Sequence, residues 1–322
     1  MAIILFGYYG FDNIGDETLL DETVKLLQDI KISSQFVVAS GPCSIPFETF
    51  NRWNIFAWFF RLKKAPVLVF GGGSLFQSRT SFFSLLFYLF IVQLALFFRC
   101  KVLILCHGWG PFKYAYHERI AYKILSQPGI QRSWRDEMAR AMFSNLHDPV
   151  FTDLAFFQKR HTSSQIKMDS PLFLAASLID MSLNKQIAKV VASFDSIKLC
   201  SLINQPGIQD AQPDPRLLTD VWDDPTTNIQ LLITQRYHTA IWASKFGIPW
   251  LAVSDDPKLI ALAESANQAI ISFSDPQLEG LIINFIKETP VGHPDSKLLE
   301  WYDSFFCQRL RTKEWLIEQL SS

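Results

Sequence analysis

Short apolar runs alternate with longer segments of helical spacing along the chain. Ala2 to Phe6, Gln35 to Ala39, Pro66 to Phe70, Lys101 to Cys106, a run near Arg132, and Val150 to Thr152 read as strands buried on both faces. Gly15 to Asp29, Phe50 to Leu62, Thr80 to Phe98, Ala115 to Ser126 and Asp136 to Ser144 read as the helices between them. A second set follows, with strands at Ser196 to Ile203, Asn228 to Thr234, Trp250 to Ser254 and Gln268 to Ser272. Its helices fall near Leu183 to Phe194, Tyr237 to Phe246, Pro257 to Ala263 and Pro276 to Lys287. Alternation of this kind predicts α/β architecture with doubly wound parallel sheets, in two units. The expected units are residues 1–150 and 151–295, the second one shortened, with a C-terminal helix over 296–322 that packs back.

Composition narrows the class. Of 322 residues, 49% are hydrophobic and only 19% charged, which excludes a largely disordered chain. Thirty Lys and Arg face 31 Asp and Glu, so no net field gathers nucleic acid, and no nucleic-acid partner is expected. Charge is nevertheless uneven. Fourteen of the 28 Phe lie between Phe47 and Phe112, a stretch with seven Lys or Arg and the single acid Glu48. That local excess points to an anionic surface or ligand.

Residues 80–98 carry no charge and would form a helix about 28 Å long. A spanning helix would put the strands on either side of it on opposite sides of a bilayer. The run therefore reads as a helix packed on the sheet, with a membrane or partner against its outer face as the alternative. The start Met-Ala-Ile-Ile-Leu-Phe-Gly lacks the basic opening of a signal peptide. Five Cys without C-x-x-C spacing read as reduced thiols, and a cytoplasmic protein is expected.

Candidate chemistry gathers where strands end in glycines. Phe6-Gly-Tyr-Tyr-Gly-Phe-Asp-Asn-Ile-Gly-Asp-Glu17 is a strand, a glycine turn and a helix start. Asp16 and Glu17 stand where a P-loop has Lys and Ser/Thr, so this is not one. Asn13, Asp16 and Glu17 serve either as helix caps or as hydrogen-bonding partners of hydroxyls. Gly71-Gly-Gly-Ser-Leu-Phe-Gln77 leaves bare backbone for a ligand, and Ser74 lacks the second glycine of a nucleophile elbow. Cys106-His-Gly-Trp-Gly-Pro111 opens at the next strand end, and Arg135 in Ser133-Trp-Arg-Asp136 is an anion ligand or a salt-bridge partner. Later, Gln235-Arg-Tyr-His238 sets Arg236 and His238 at a strand-to-helix turn, and Ser254-Asp-Asp-Pro-Lys258 ends the following strand. The six His form no cluster with metal-ligand spacing, so no metal is expected.

These segments, in this order, resemble the polysaccharide pyruvyl transferases, especially the bacterial type acting on cell-wall polymers. Gly7 to Glu17 matches G-Y-Y-G-x-x-N-x-G-D-E, Asn51-Arg52-Trp53 matches N-R-W, and Gly71 to Gln77 matches G-G-G-S-L-x-Q. Arg135-Asp136, Arg236 with His238, and Ser254 to Lys258 follow, whereas His107 stands where Gln is expected. The resemblance implies two Rossmann-like domains facing across a cleft, as in GT-B glycosyltransferases. It also implies transfer of pyruvate from phosphoenolpyruvate, a co-substrate with no separate cofactor, to a sugar of a lipid-linked envelope saccharide as a ketal. On this basis His238, Arg236 and Asp16 are the expected catalytic residues, and Arg135, Arg236, Lys258 and Ser254 the donor contacts. Asn13, Glu17, Arg52, Gly72, Gly73, Ser74, Gln77 and His107 are the expected acceptor contacts. Peripheral contact with the inner face of the membrane would suit a lipid-linked acceptor. The alternatives are a nucleotide-sugar glycosyltransferase of the same architecture and a catalytically silent saccharide-binding relative.

Overall fold

The computed structural model describes residues 2–11, 13–30, 35–145, 147–159, 172–175, 197–200, 231–289 and 294–321. Within it the chain divides into two compact units, residues 1–158 with 306–322, and residues 159–305.

The first unit is built on a six-stranded parallel sheet: β1 (Ala2–Phe6), β2 (Gln35–Ser40), β3 (Glu48–Asn51), β4 (Val67–Gly71), β5 (Lys101–His107) and β6 (Ile130–Trp134). Their spatial order is β3-β2-β1-β4-β5-β6. The chain winds outward from β1 in one direction, then returns to β1 and winds outward in the other, so the switch point lies between β1 and β4. Ile4 of β1 pairs with Leu68 of β4, and these strands are apolar throughout because both faces are covered. Alternate residues Ile4, Phe6, Leu68, Phe70, Val102 and Ile104 share one core with α2 (Ile55–Leu62), α3 (Phe82–Phe97) and α4 (Ala115–Leu125). Helix α1 (Ile14–Asp29) packs against β4, and α5 (Glu137–Phe143) follows β6.

Local signals set these helices. Asn54 caps α2 by accepting the Ala57 N–H at 3.1 Å, and Ser81 caps α3 through the Ser84 N–H. The helix expected from Phe50 starts only at Ile55, because residues 48–51 pair with β2 as an edge strand. The strand expected at Val150 to Thr152 is reduced to a single bridge between Trp134 and Val150.

The second unit holds a five-stranded parallel sheet of order β11-β10-β9-β7-β8. Its strands are β7 (Leu172–Ala175), β8 (Ile197–Cys200), β9 (Leu232–Thr234), β10 (Trp250–Val253) and β11 (Ala269–Ile271). Here the order reverses between β7 and β9. Helices α6 (Tyr237–Lys245), α7 (Pro257–Ser265) and α8 (Leu278–Glu288) join or follow these strands. The helix expected at Leu183 to Phe194 lies outside the described residues.

The single helix expected at the C-terminus is two. The first, α9 (Ser296–Ser304), packs on α6 in the second unit; the second, α10 (Cys307–Ser321), packs on α1 in the first. Arg309 of α10 bonds Glu22 at 2.8 Å and Asp29 at 3.1 Å, both on α1. No helix among the described residues is long and apolar enough to cross a membrane.

Candidate functional site

The C-terminal edge of the first sheet is assembled from the turns after β1, β4, β5 and β6. Tyr9 holds the first two together. Its buried hydroxyl donates to the carbonyl of Gly71 at 2.8 Å, across the switch point. Burial, reinforced by the charges of Asp16 and Glu17, pushes the Tyr9 phenol far up, so it stays protonated and donating. Gly10 adopts φ +73, and its N–H donates to Glu17 Oε1 at 2.7 Å. A methyl on Gly10 would meet Ser40 Oγ at 2.7 Å and the Gly41 backbone nitrogen at 2.9 Å, so both conformation and space call for glycine. At the head of α1, Asn13 does not cap the helix with its side chain; its Nδ2 donates to the Asp16 carboxylate.

The turn after β4 lies directly against this carboxylate. A methyl on Gly73 would sit 3.8 Å from Asp16 Oδ1, in ordinary contact. Gly108 N–H donates to the Gly73 carbonyl at 2.8 Å, which ties the β5 turn to the β4 turn. A methyl on Gly108 would lie 2.3 Å from Ser74 Oγ and 3.1 Å from Arg135 Cζ. Asp16, Gly73, Ser74, Gly108 and Arg135 therefore form one continuous patch. Gly72, also at positive φ, lies in the same turn beneath Leu19 and Leu154.

Three expected contacts have other work. Arg52 is buried: its Nη1 donates to the Gly7 carbonyl and its Nη2 to Tyr88 Oη, both at 2.7 Å. Rings of Phe6, Trp53 and Tyr88 lie within 5.0 to 5.3 Å of its guanidinium carbon. It holds the β1 turn from behind and presents nothing to an acceptor. His107 is closed off from solvent with its ring 5.2 Å from that of Phe76, so it supports the edge from beneath. Gln77 exchanges hydrogen bonds with Thr80 at the approach to α3.

Arg135 belongs to this first-unit patch. Its Nε bonds Asp136 at 3.2 Å and its Nη1 the buried Asp153 at 3.3 Å. The sequence reading placed it with the donor contacts; the structure groups it with Ser74 and Gly108 and pairs it with two carboxylates. Tyr9 was not among the expected site residues, and Asp153, which stands where the family motif has Asp-Pro but is followed by Leu154, was given no role. Tyr9 sits inside the motif already singled out, but its importance depends on a partner 62 residues away.

The second unit brings Arg236, His238, Ser254 and Lys258 to one sheet edge. Thr234 of β9 pairs with Ala252 of β10, so Arg236 and Ser254 each stand two residues beyond a matched pair on strands about 4.8 Å apart. Thr234 Oγ1 accepts the Arg236 N–H at 2.9 Å and fixes the turn into α6, whose N-cap is Arg236. Ser254 Oγ accepts the Asp256 N–H, and Asp256 caps α7 by accepting from Lys258 N–H, both at 3.0 Å. Two helix N-termini thus share one sheet edge, with Arg236 and His238 at the start of α6 and Lys258, next to the capping carboxylate of Asp256, at the start of α7.

The model of the family described as polysaccharide pyruvyl transferase matches residues 13–257, which include most of both sheet edges, with Tyr9 and Gly10 just before the match and Lys258 just after it. The chain belongs to this family. No curated protein matches it. Among solved structures it is similar to HepE of Anabaena in complex with UDP-glucose, at 12% identity and a TM-score of 0.62 over 100% of this chain and 99% of that one. It is similar to MnaA of S. aureus with UDP, at 10% identity and a TM-score of 0.61 over 100% and 98% of the two chains. WaaG, a glycosyltransferase of lipopolysaccharide biosynthesis, matches at 13% identity and a TM-score of 0.51 over 95% of each chain. These likenesses make the fold GT-B-like, and the family makes the chain a member of a transferase family in polysaccharide biosynthesis.

Proposed function

We propose that this protein transfers the pyruvyl group of phosphoenolpyruvate to two hydroxyls of a saccharide, forming a ketal and releasing phosphate. The observation that carries the reading is the meeting of Arg236, His238, Ser254 and Lys258 at one edge of the second sheet, in a chain of this family. Phosphoenolpyruvate carries a phosphate and a carboxylate, and Arg236, Lys258 and the amides at the starts of α6 and α7 bind them. No metal or further cofactor is required by this scheme.

The reaction balances without an oxidant. Protonation of the methylene carbon makes it the methyl group and leaves the adjacent carbon open to a sugar hydroxyl oxygen. The carbon–oxygen bond to phosphate breaks, and the second hydroxyl closes the ketal. One hydroxyl proton replaces the one given to the methylene, and the other leaves with phosphate. His238 handles the proton on the donor side, and Asp16 takes one from the acceptor hydroxyl. Asn13, Glu17, the Gly72–Gly73 backbone and Ser74 orient the sugar, while Arg135, held by Asp136 and Asp153, fixes the wall behind Ser74. The acceptor is a lipid-linked envelope saccharide, reached from the cytoplasmic side.

A second reading has support of its own: HepE and MnaA hold UDP-glucose and UDP, which favours a nucleotide-sugar donor. Purified protein given phosphoenolpyruvate and a panel of lipid-linked saccharides separates the two. Phosphate release with a pyruvate ketal methyl signal in the product supports pyruvyl transfer. Turnover that instead requires a UDP-sugar sinks it.

A further inference from the structure

Between Glu48 and Glu118 the chain contains no Asp or Glu and eight Lys or Arg. The structure gathers much of this stretch on one side of the first sheet, where α2 and α3 run beside each other. Trp53 meets Phe87 at 4.8 Å near the start of α2, and Phe59 meets Phe98 at 4.7 Å towards its end. Trp58, Leu62, Leu85, Leu89 and Val92 fill the inward faces of these helices and are buried in the core. The outward faces are just as apolar. Phe56 is 79% exposed, Phe83 82% and Phe97 73%, with Phe60 and Phe90 exposed beside them. Phe83, Phe90 and Phe97 are spaced seven apart and Phe56 and Phe60 four apart, so each set occupies one helical face. These rings are a second apolar face and not the edge of the core, and soluble surfaces rarely leave such a face uncovered.

Cations edge this face where the two helices end. Cys100 Sγ lies 3.3 Å from the Leu62 carbonyl and 3.0 Å from that of Ala65, which brings exposed Arg99 next to exposed Lys63 and Lys64. Arg61, one turn earlier, already pairs with Glu48 at 2.6 Å. A second copy of the chain is a poor occupant. Symmetric pairing sets a surface against itself, and a face whose unpaired edge charges are Lys63, Lys64 and Arg99, with its nearest acid Glu48 already taken by Arg61, would meet cations with cations. An anionic bilayer supplies both halves of the match, hydrocarbon for the rings and phosphate for the ammonium and guanidinium groups.

We propose that the α2–α3 face docks this protein on an anionic phospholipid bilayer. Both helices lie in the plane of the interface, with Phe56, Phe60, Phe83, Phe90 and Phe97 among the upper acyl chains. Lys63, Lys64 and Arg99 reach the headgroups. Helix α3 follows directly on the Gly71–Gln77 turn, so a docked face would bring the first sheet edge near lipid-borne substrates. That last consequence rests on the proposed function; the docking does not.

Vesicle flotation of the purified full chain tests it, with vesicles of phosphatidylcholine alone and of phosphatidylcholine mixed with phosphatidylglycerol. The expected result is flotation with the mixed vesicles, weakened by salt. Phe83→Ser/Phe90→Ser/Phe97→Ser should lose at least about tenfold in affinity for the mixed vesicles. Lys63→Gln/Lys64→Gln/Arg99→Gln should lose about fivefold per charge on mixed vesicles and nothing on neutral ones. Far-UV circular dichroism and a melting curve establish that the variants, changed only at exposed positions, are folded. Absence of flotation with the mixed vesicles overturns the proposal, as does binding unchanged in both variants. A dimer in light scattering that the Phe variant disperses, without vesicle binding, would give the face to a second copy instead.

Discussion

The guanidinium of Arg52 donates to the carbonyl oxygen of Gly7 across 2.7 Å, joining the end of the β2–β3 edge to the first residue of the turn after β1. Its second arm reaches Tyr88 on α3, so one buried side chain ties three elements behind the sheet edge. Arg52→Lys keeps the charge but cannot span both partners or lie flat among the rings. We expect a loss of about 3 kcal/mol, read as a lower melting temperature. Turnover should fall with it as the Gly7–Asn13 turn loosens. Unchanged stability with only a raised KM for the saccharide would return Arg52 to the acceptor contacts.

Gly108→Ala addresses the patch in front. The added methyl would lie 2.3 Å from Ser74 Oγ and 3.1 Å from Arg135 Cζ and Nε, so both side chains must shift and the protein should fold at a cost of about 2 kcal/mol. The displaced hydroxyl is the expected damage, and kcat/KM should drop more than stability does. In a Ser74→Ala background the shorter of these clashes is gone and only the contact with Arg135 remains, so the stability cost of Gly108→Ala should shrink. Melting curves of the four proteins in this cycle check it; strict additivity would mean that the two side chains do not meet.

The second sheet edge gives a sharper contrast. His238→Ala and Arg236→Ala should each lower phosphate release by about a hundredfold or more, with melting temperatures close to the parent because both side chains are only half-buried. Lys258→Ala should act mainly on KM for phosphoenolpyruvate. A near-parental rate in the His238 variant would remove it from the proton-handling role.

The frame of the fold was legible because parallel strands covered on both faces write themselves as apolar runs, as Val67–Gly71 and Lys101–His107 do. Edge strand β3 was not: only Phe50 of its four residues is buried, and its sequence runs on into a helical pattern. The break between α9 and α10 leaves no mark either, since Phe305 and Phe306 continue the apolar spacing without Gly or Pro. The glycine turns marked the strand ends that form the first sheet edge. They could not show that Arg52 faces inward, that His107 is sealed off or that Arg135 is paired to Asp153, because those outcomes depend on partners far along the chain.

The thiols offer a direct chemical check. Burial pushes the Cys100 thiol up to about 11 and raises that of Cys106 well above its ordinary range. Cys307 is exposed at the start of α10. In the folded protein at mildly alkaline pH, an alkylating reagent should modify Cys307 quickly and leave Cys100 and Cys106 unmodified until denaturant is added. Peptide mass mapping reads each site, and fast labelling of Cys106 would contradict its burial.

Arg309→Ala probes the clasp between the last helix and α1. The guanidinium bonds Glu22, which is buried, at 2.8 Å, the Phe157 carbonyl at 3.1 Å and Asp29 at 3.1 Å. Glu22 keeps Lys25 at 2.8 Å, so the expected loss is about 2 kcal/mol. The hydrogen bond from Arg309 is the main reason the Asp29 carboxyl lies below its ordinary value. A carboxyl whose pKa is depressed by folding stabilises the protein above its unfolded pKa, about 3.9. That contribution is lost as pH falls through the lower, folded value. The gap between parent and variant should therefore be full at neutral pH and narrow progressively below about pH 4. Denaturant unfolding followed across that range measures it, and a gap that stays constant into the acid limb would show that Asp29 contributes nothing to the clasp.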